Sequence, residues 1–132
     1  RRTTAGSGGG GDTPPPPPVL AVTKLVLVDA AGQRDLRELT PGSTISLSQD
    51  GAALNVRAEV NGAAGSVSFA LNGSFYRVEN IAPYALGADD AGVYRAWRPS
   101  PGNLRIRATP YSGGDRGGTV GTPLELTLNV VQ

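Results

Sequence analysis

Hydrophobic and polar residues alternate along much of this chain, in short runs that are separated by turn-forming residues. The clearest runs are residues 54–60, 104–108 and 124–131, in which every second residue is apolar. Alternation with a period of two is typical of β-strands that bury one face. In the first of these runs the pattern places Leu54, Val56 and Ala58 inward, and it places Asn55 and Arg57 toward solvent.

The strongest turn signal is Asn72-Gly73, which separates two further runs at residues 66–71 and 74–79. Asn-Gly supplies the two positive-φ residues of a type I′ turn, so the sequence predicts a β-hairpin with a two-residue loop. That loop pairs Ala70 with Phe75 and Phe69 with Tyr76 if the ladder is regular. The predicted inward set is Val67, Phe69, Leu71, Tyr76 and Val78, and the outward set is Ser66, Ser68, Ala70, Phe75, Arg77 and Glu79.

Weaker patterns fill the intervals between these strands. Residues 21–29 are apolar on both faces for part of their length and predict a strand, whereas residues 34–39 suit either a strand or a helical turn. Short strands are expected around residues 45–47 and 92–97. Pro83 takes residues 81–86 out of the ladder, because proline lacks a backbone N–H. Short strands at this spacing predict an all-β protein, an antiparallel β-sandwich of seven or eight strands.

The first 18 residues have a different composition from the rest. They read RRTTAGSGGGGDTPPPPP and end in the proline run Pro14–Pro18. Glycine-rich sequence behaves as a flexible coil, and consecutive prolines favour the extended polyproline II conformation. We interpret residues 1–18 as a Gly/Pro-rich extended tail, which serves as a linker or docks on a partner, and residues 19–132 as the sandwich domain.

The order of motifs from residue 66 to residue 131 resembles that of bacterial immunoglobulin-like modules of the Big type, which occur in secreted and cell-surface proteins. The matching segments are SVSFALNG (66–73), NIAPYAL (80–86), GVYRAW (92–97), NLRIRATPY (103–111) and LELTLNVV (124–131). The resemblance implies an immunoglobulin-like fold, a secreted or cell-surface location, and a non-catalytic role in spacing, displaying or anchoring other domains. Some relatives that accompany polysaccharide-degrading enzymes bind glycans.

The composition narrows the possible functions. The chain has 12 basic and 11 acidic residues and a net charge of +1, so it lacks the strong positive electrostatic field that attracts nucleic acid. It has no histidine and no cysteine, which removes the commonest general base and the thiolate metal ligands. No apolar run approaches the roughly 20 residues of a membrane span. We therefore expect no enzyme activity, no cofactor, no nucleic-acid partner and no membrane insertion.

Two loops resemble ligand sites but have simpler interpretations. Asp89 and Asp90 could supply oxygen ligands to calcium, although a solvated turn explains them better because no EF-hand spacing is present. The segment Gly113–Gly118 lacks the lysine and the following helix of a phosphate-binding loop, and we expect a mobile surface loop there.

The aromatic residues leave a carbohydrate-binding alternative open. Tyr84, Tyr94, Trp97 and Tyr111 could offer stacking surfaces to a polysaccharide, as in an accessory domain of a secreted polysaccharide-degrading enzyme. Against this, Tyr84 and Tyr111 each follow a proline at a strand edge, where a tyrosine commonly caps the core and bonds to the backbone. Trp97 is expected to pack in the core of so small a domain.

The outward side of the hairpin is the predicted partner-binding surface. If the hairpin shares a sheet with residues 104–108 and 124–131, then Phe75, Arg77, Arg105 and Arg107 lie on one face together with Glu125. An exposed phenylalanine among arginines is typical of an interface hot spot. The sequence thus predicts a non-catalytic extracellular module that builds or decorates a surface assembly, in the extreme a filament, by self-association or by binding a protein partner.

Overall fold

The computed structural model of the chain describes residues 19–132, which form eleven β-strands and one short 3-10 helix. The strands are β1 (Ala21–Asp29), β2 (Arg34–Leu39), β3 (Thr44–Ser46), β4 (Leu54–Asn61), β5 (Ser66–Leu71), β6 (Ser74–Glu79), β7 (Tyr84–Ala85), β8 (Asp89–Asp90), β9 (Val93–Tyr94), β10 (Gly102–Tyr111) and β11 (Leu124–Val131). The 3-10 helix covers Gly114–Arg116. Within residues 19–132, no helix has the length and apolar character needed to cross a bilayer. The tail predicted at residues 1–18 lies outside the described residues.

Nine of the strands form two sheets that pack face to face. The first sheet has the order β2-β1-β4-β7 and the second has the order β3-β11-β10-β5-β6, while β8 and β9 form a small hairpin of their own. Neighbouring strands in the two sheets are antiparallel, except that β3 runs parallel to β11. Because the chain passes from one sheet to the other and back, the architecture is the immunoglobulin-like β-sandwich that the pattern and the resemblance predicted, with nine strands in the two sheets instead of seven or eight.

The core consists of the inward residues of both sheets. Phe69 is its largest fully buried side chain, and Leu25, Val56, Ile106 and Leu128 surround the same interior. All five occupy positions at which the alternating pattern requires an apolar residue. Burial of such side chains is the main stabilising contribution to a sandwich of this size.

Residues 34–39 form β2 and not a helical turn. This strand lies at the edge of the first sheet, where it pairs with β1. Its charged side chains bond to neighbouring parts of the same chain: Arg37 forms a bidentate pair with Asp50, and Asp35 pairs with Arg57 of β4. The sequence was ambiguous here because an edge strand with one solvated face carries little hydrophobic signal.

The predicted register of the β5–β6 hairpin is correct next to the turn and wrong beyond it. Asn72 and Gly73 both have positive φ, at 51° and 86°, as a type I′ turn requires. Ala70 pairs with Phe75 as expected, but Phe69 pairs with Arg77 because a β-bulge inserts Tyr76. One extra residue in a strand reverses the facing of every residue after it.

The bulge therefore exchanges the two predicted faces along the second half of β6. Arg77 and Glu79, which were expected to face outward, lie opposite the buried residues Phe69 and Val67. Val78, which was expected to face inward, lies opposite Ser68. The predicted facing of these three residues is wrong, and so is that of Tyr76, which was expected to face inward and is 42% exposed.

Asn55 is a second departure from the alternating pattern. It was expected to face solvent, yet its side chain is 0% exposed. The segment from Gly87 to Arg95 folds over the outer side of the first sheet and bonds to Asn55. Val28, the cross-strand neighbour of Asn55, is also 0% exposed. The outer side of this sheet is therefore partly an interior surface.

Candidate interaction surface

Two arginines and one glutamate occupy the solvent side of the second sheet. Arg105 and Arg107 alternate with buried residues along β10, and Glu125 lies opposite Arg107 on β11. The Nε of Arg105 lies 3.1 Å from one carboxylate oxygen of Glu125, and the Nη1 of Arg107 lies 3.2 Å from the other. One carboxylate thus balances one of two guanidinium groups, and this part of the surface keeps a net positive charge.

Phe75 adds an apolar centre to the same side of the sheet. Its side chain is 56% exposed, although the residue belongs to a paired strand. The guanidinium carbon of Arg116 lies 4.6 Å from the centre of the Phe75 ring, within the range of a cation–π contact. We refer to Phe75, Arg105, Arg107, Arg116 and Glu125 as the outer face. Arg116 is the member that sequence analysis missed, because 41 residues separate it from Phe75 in the chain.

The loop that carries Arg116 is tied to the hairpin by its own hydrogen bonds. Ser66 is fully buried, and its hydroxyl donates to the Gly113 carbonyl and accepts from the Arg116 amide. The Asn80 side chain exchanges two hydrogen bonds with Asp115, at 3.1 Å and 2.7 Å. The prediction of a mobile loop at Gly113–Gly118 thus overlooked partners that lie far away in the sequence. The attachment positions Arg116 over Phe75.

Arg77 does not belong to the outer face, although the sequence analysis placed it there. The bulge turns it toward the side of Phe69, where its guanidinium carbon lies 5.8 Å from the Tyr76 ring. Its Nε atom is buried and has no hydrogen-bond partner among residues 19–132. A buried donor without a partner lowers stability. What separates Arg77 from the outer face is its orientation, because the bulge places it on the opposite side of β6 from Phe75.

Glu79 follows Arg77 at the same edge, and its environment disfavours the charged form. Its side chain is 15% exposed, and burial raises the pKa of its carboxyl above the usual value. The attraction of Arg77, whose Nη1 lies 3.8 Å away, opposes that rise in the pKa but does not cancel it. The folded protein therefore binds a proton at Glu79 more tightly than the unfolded chain does.

We expect Glu79→Gln to stabilise the protein at pH 7, by about 0.5 kcal/mol. The carboxylate is penalised in the folded state above its raised pKa, and the penalty disappears as the pH falls toward the unfolded value. The gain should therefore be present at pH 7 and absent at pH 4, as measured by urea unfolding at both values. Glu38→Gln, at an exposed position of β2, is the control and should leave the free energy of unfolding unchanged at both pH values. A gain that is equal at both pH values would contradict this account.

The four aromatic residues considered for glycan stacking do not share one exposed surface. Trp97 is 8% exposed and packs in the core, and Tyr84 is buried with its hydroxyl donating to the Ala64 carbonyl at 3.0 Å. Tyr94 and Tyr111 are half-buried. The first lies beside Arg57 near the first sheet, and the second ends β10 of the second sheet.

Asp89 and Asp90 form β8 and are engaged within their own hairpin. Asp89 accepts a hydrogen bond from the Gly92 amide at 2.7 Å, and both carboxylate oxygens of Asp90 accept from Arg95. The hydrogen bonds from Arg95 lower the pKa of the Asp90 carboxyl. Among residues 19–132, no group of three or more acidic side chains is close enough to hold a metal ion.

Comparisons with known proteins add little to this description. No family model and no curated protein matches the chain. A solved structure of the fibronectin(III)-like modules of Clostridium thermocellum CbhA is similar to it, with 23% sequence identity and a TM-score of 0.45. The match covers 70% of this chain and 92% of that one. The assignment of an immunoglobulin-like sandwich accordingly depends on the strand order of the chain itself.

Proposed function

We propose that this chain is a non-catalytic extracellular module of the bacterial immunoglobulin-like kind, which associates with another protein surface through its outer face. A second copy of the chain is the partner that we test first. The single observation that supports the proposal most directly is the exposed Phe75 ring with Arg116 stacked on it. Aromatic and arginine side chains are the residue types enriched in interface hot spots.

The attachment of the Arg116 loop supports the same proposal. Binding is weakened when flexible side chains and loops must be ordered at the interface. Here the hydrogen bonds of Ser66 and Asn80 already hold the loop beside Phe75 in the free chain. The surface would therefore lose little conformational freedom on binding.

A non-catalytic role is consistent with the chemistry of the described residues. The chain has no histidine, and its one lysine in the described part, Lys24, lies beside Glu59 on the surface of the first sheet. No serine in residues 19–132 therefore has an evident base. Within this proposal, the tail acts as a tether or as a docking segment in a secreted or cell-surface assembly. Carbohydrate binding stays a prediction from the sequence, with Tyr94 and Tyr111 as the partly exposed rings.

The double variant Phe75→Ala/Arg107→Ala tests the proposed surface. It removes the apolar centre and one of the three arginines of the outer face, and we expect self-association to weaken about 30-fold or more. Sedimentation velocity over a range of concentrations would measure the change.

A matched control is available on the other sheet and its small hairpin. Val93→Ala/Arg34→Ala removes one exposed apolar side chain and one exposed arginine, and it should leave sedimentation unchanged. The outer face is rejected as the surface of self-association if the two double variants sediment alike. It is also rejected if the unmodified chain is monomeric at all concentrations.

A further inference from the structure

A second surface feature, separate from the outer face, is a groove of about 420 Å³ next to the hairpin turn. Its apolar lining includes Tyr76, Trp97, Pro99 and Pro101. Tyr76, the inserted residue of the bulge, is 42% exposed and is the ring that the groove offers to a ligand, whereas Trp97 is 8% exposed and lies mostly within the core beneath it. Grooves lined by aromatic side chains are the common binding sites of proline-rich segments, because flat rings pack against pyrrolidine rings.

The rim of this groove carries hydrogen-bond donors that the chain does not use. Arg98 forms no ion pair and no hydrogen bond with any residue in the range 19–132. The side-chain oxygen of Asn72 accepts from the Arg105 amide at 2.9 Å, while its amide nitrogen has no partner in the same range. A proline-rich segment offers backbone carbonyls as acceptors and has no N–H of its own. The rim therefore complements such a segment chemically.

The chain contains a proline run that matches this groove. Pro14–Pro18 precedes the first described residue, Val19, and Asp12 lies two positions before the run. Five prolines in the polyproline II conformation are about 15 Å long. A carboxylate at Asp12 would lie near one end of the bound run and could pair with Arg98.

The run cannot reach the groove of its own chain. Val19 precedes β1, whose first residue Ala21 pairs with Asn61 at one end of the sandwich. The groove lies at the other end, where Trp97 bonds to Leu54 beside the last residue of β1. From Val19 back to Pro14 the chain spans at most about 18 Å. The nine residues of β1 alone extend for about 26 Å.

We propose that the proline run Pro14–Pro18 of one copy binds in the groove of the next copy. The start of β1, from which the tail extends, and the receiving groove lie at opposite ends of the sandwich, so the contact would join copies head to tail. A head-to-tail contact that does not close into a ring produces an open chain of copies. This inference deepens the proposed function, since it assumes a module that assembles, but it uses residues outside the outer face.

A peptide titration tests the contact directly. The receiving protein is the full chain with Pro14–Pro18 replaced by serine, so that its own tails do not compete for the groove. The probe is the capped peptide GDTPPPPPV, which corresponds to residues 11–19. We expect a saturable change in the fluorescence of Trp97, the only tryptophan of the chain. The peptide GDTSSSSSV should cause no change.

Variants of the groove and of the peptide distinguish this site from the outer face. Tyr76→Ala and Arg98→Glu, both at exposed positions, should each weaken peptide binding about tenfold or more. Binding to Arg98→Glu should recover when the peptide carries lysine in place of Asp12. The variant Phe75→Ala/Arg107→Ala should bind the peptide as tightly as the unmodified groove does. Peptide binding thus tests the groove alone, and its outcome does not depend on whether the outer face takes part in assembly.

A mixing experiment tests the head-to-tail geometry. A chain with serine in place of Pro14–Pro18 has an intact groove, and the chain Tyr76→Ala/Arg98→Glu has an intact tail. Both chains also carry Phe75→Ala/Arg107→Ala, so that association through the outer face does not contribute. Each alone should show no tail-dependent assembly, and their mixture should form one-to-one dimers, whereas Phe75→Ala/Arg107→Ala with tail and groove intact forms longer species. The proposal fails if the serine peptide binds equally well or if the groove variants bind the proline peptide normally. It also fails if soluble polysaccharides, and not the peptide, change the Trp97 fluorescence.

Discussion

Replacing Asn55 with aspartate is expected to lower the free energy of unfolding by about 3–5 kcal/mol. The side-chain nitrogen of Asn55 donates to the carbonyls of Ala88 and Arg95, at 3.0 Å and 2.8 Å. Its oxygen accepts from the amides of Val56 and Gly87, both at 2.8 Å. All four hydrogen-bonding positions of the amide are thus in use, in a site from which water is excluded.

Aspartate has nearly the same shape as asparagine but cannot donate when it is ionised. It would direct a carboxylate oxygen at the carbonyls of Ala88 and Arg95 and bury an unpaired charge. The cost of Asn55→Asp should fall as the pH is lowered, because a protonated aspartic acid regains one donor. Asn55→Ala, which removes all four bonds, should be costly at every pH.

Urea unfolding followed by Trp97 fluorescence would measure both substitutions. Asn129→Asp is the matched control, because Asn129 is exposed on β11 and its side chain makes no hydrogen bond with the described residues. The control should change stability by less than about 0.5 kcal/mol. If Asn55→Asp were as mild as Asn129→Asp, then the amide would not be what holds the Gly87–Arg95 segment against β4.

Gly65→Ala is expected to cost about 2–4 kcal/mol and to release the loop that carries Arg116. A methyl group at Gly65 would lie 2.6 Å from the backbone oxygen of Ser112 and equally close to the carbonyl carbon of Gly113. These are backbone atoms, so the loop itself must move. The movement would break the hydrogen bonds that Ser66 makes with the loop.

Limited digestion with trypsin would reveal the released loop. Arg116 is a trypsin site that is attached to β5 in the folded chain, and cleavage after it should be faster in Gly65→Ala. Gly114→Ala is the control from the same loop, because an added methyl group there would lie 3.6 Å from Asn80, an ordinary contact distance. Equal cleavage rates in the two variants would contradict the proposed role of Gly65. Gly65→Ala should also weaken any association that depends on Arg116.

The alternating pattern correctly predicted the strands in which buried and exposed residues alternate regularly. Residues 54–60, 104–108 and 124–131 are strands with apolar inward residues, and Asn72-Gly73 forms the predicted turn. Both predictions use only residues that are close together in the sequence. Alternating burial marks a strand within a few residues, and the positive φ angles of the turn depend on Asn72 and Gly73 themselves. These features were enough to identify a β-sandwich.

The bulge at Tyr76 and the burial of Asn55 could not be predicted in the same way. No glycine marks the bulge, and its position depends on how β6 fits against β5. Asn55 is buried by a segment that begins 32 residues later in the chain. Arg116 reaches Phe75 only because Ser66 and Asn80 hold its loop. Sequence periodicity therefore grouped Phe75, Arg105, Arg107 and Glu125 on one face, whereas the addition of Arg116, the reversal of Arg77 and the exposure of Tyr76 depend on long-range contacts that a single sequence does not show.

The positions of β1 and β11 have a mechanical consequence. Each lies inside its sheet, β1 between β2 and β4, and β11 between β10 and β3. The described chain enters β1 at one end of the sandwich and leaves β11 at the other end, where the Ser48 hydroxyl donates to the Gln132 carbonyl. A pull on residues 19 and 132 would act along both strands and load their hydrogen bonds in shear. These bonds would have to break together and not one after another, so we expect the described domain to resist a pull applied at these two residues.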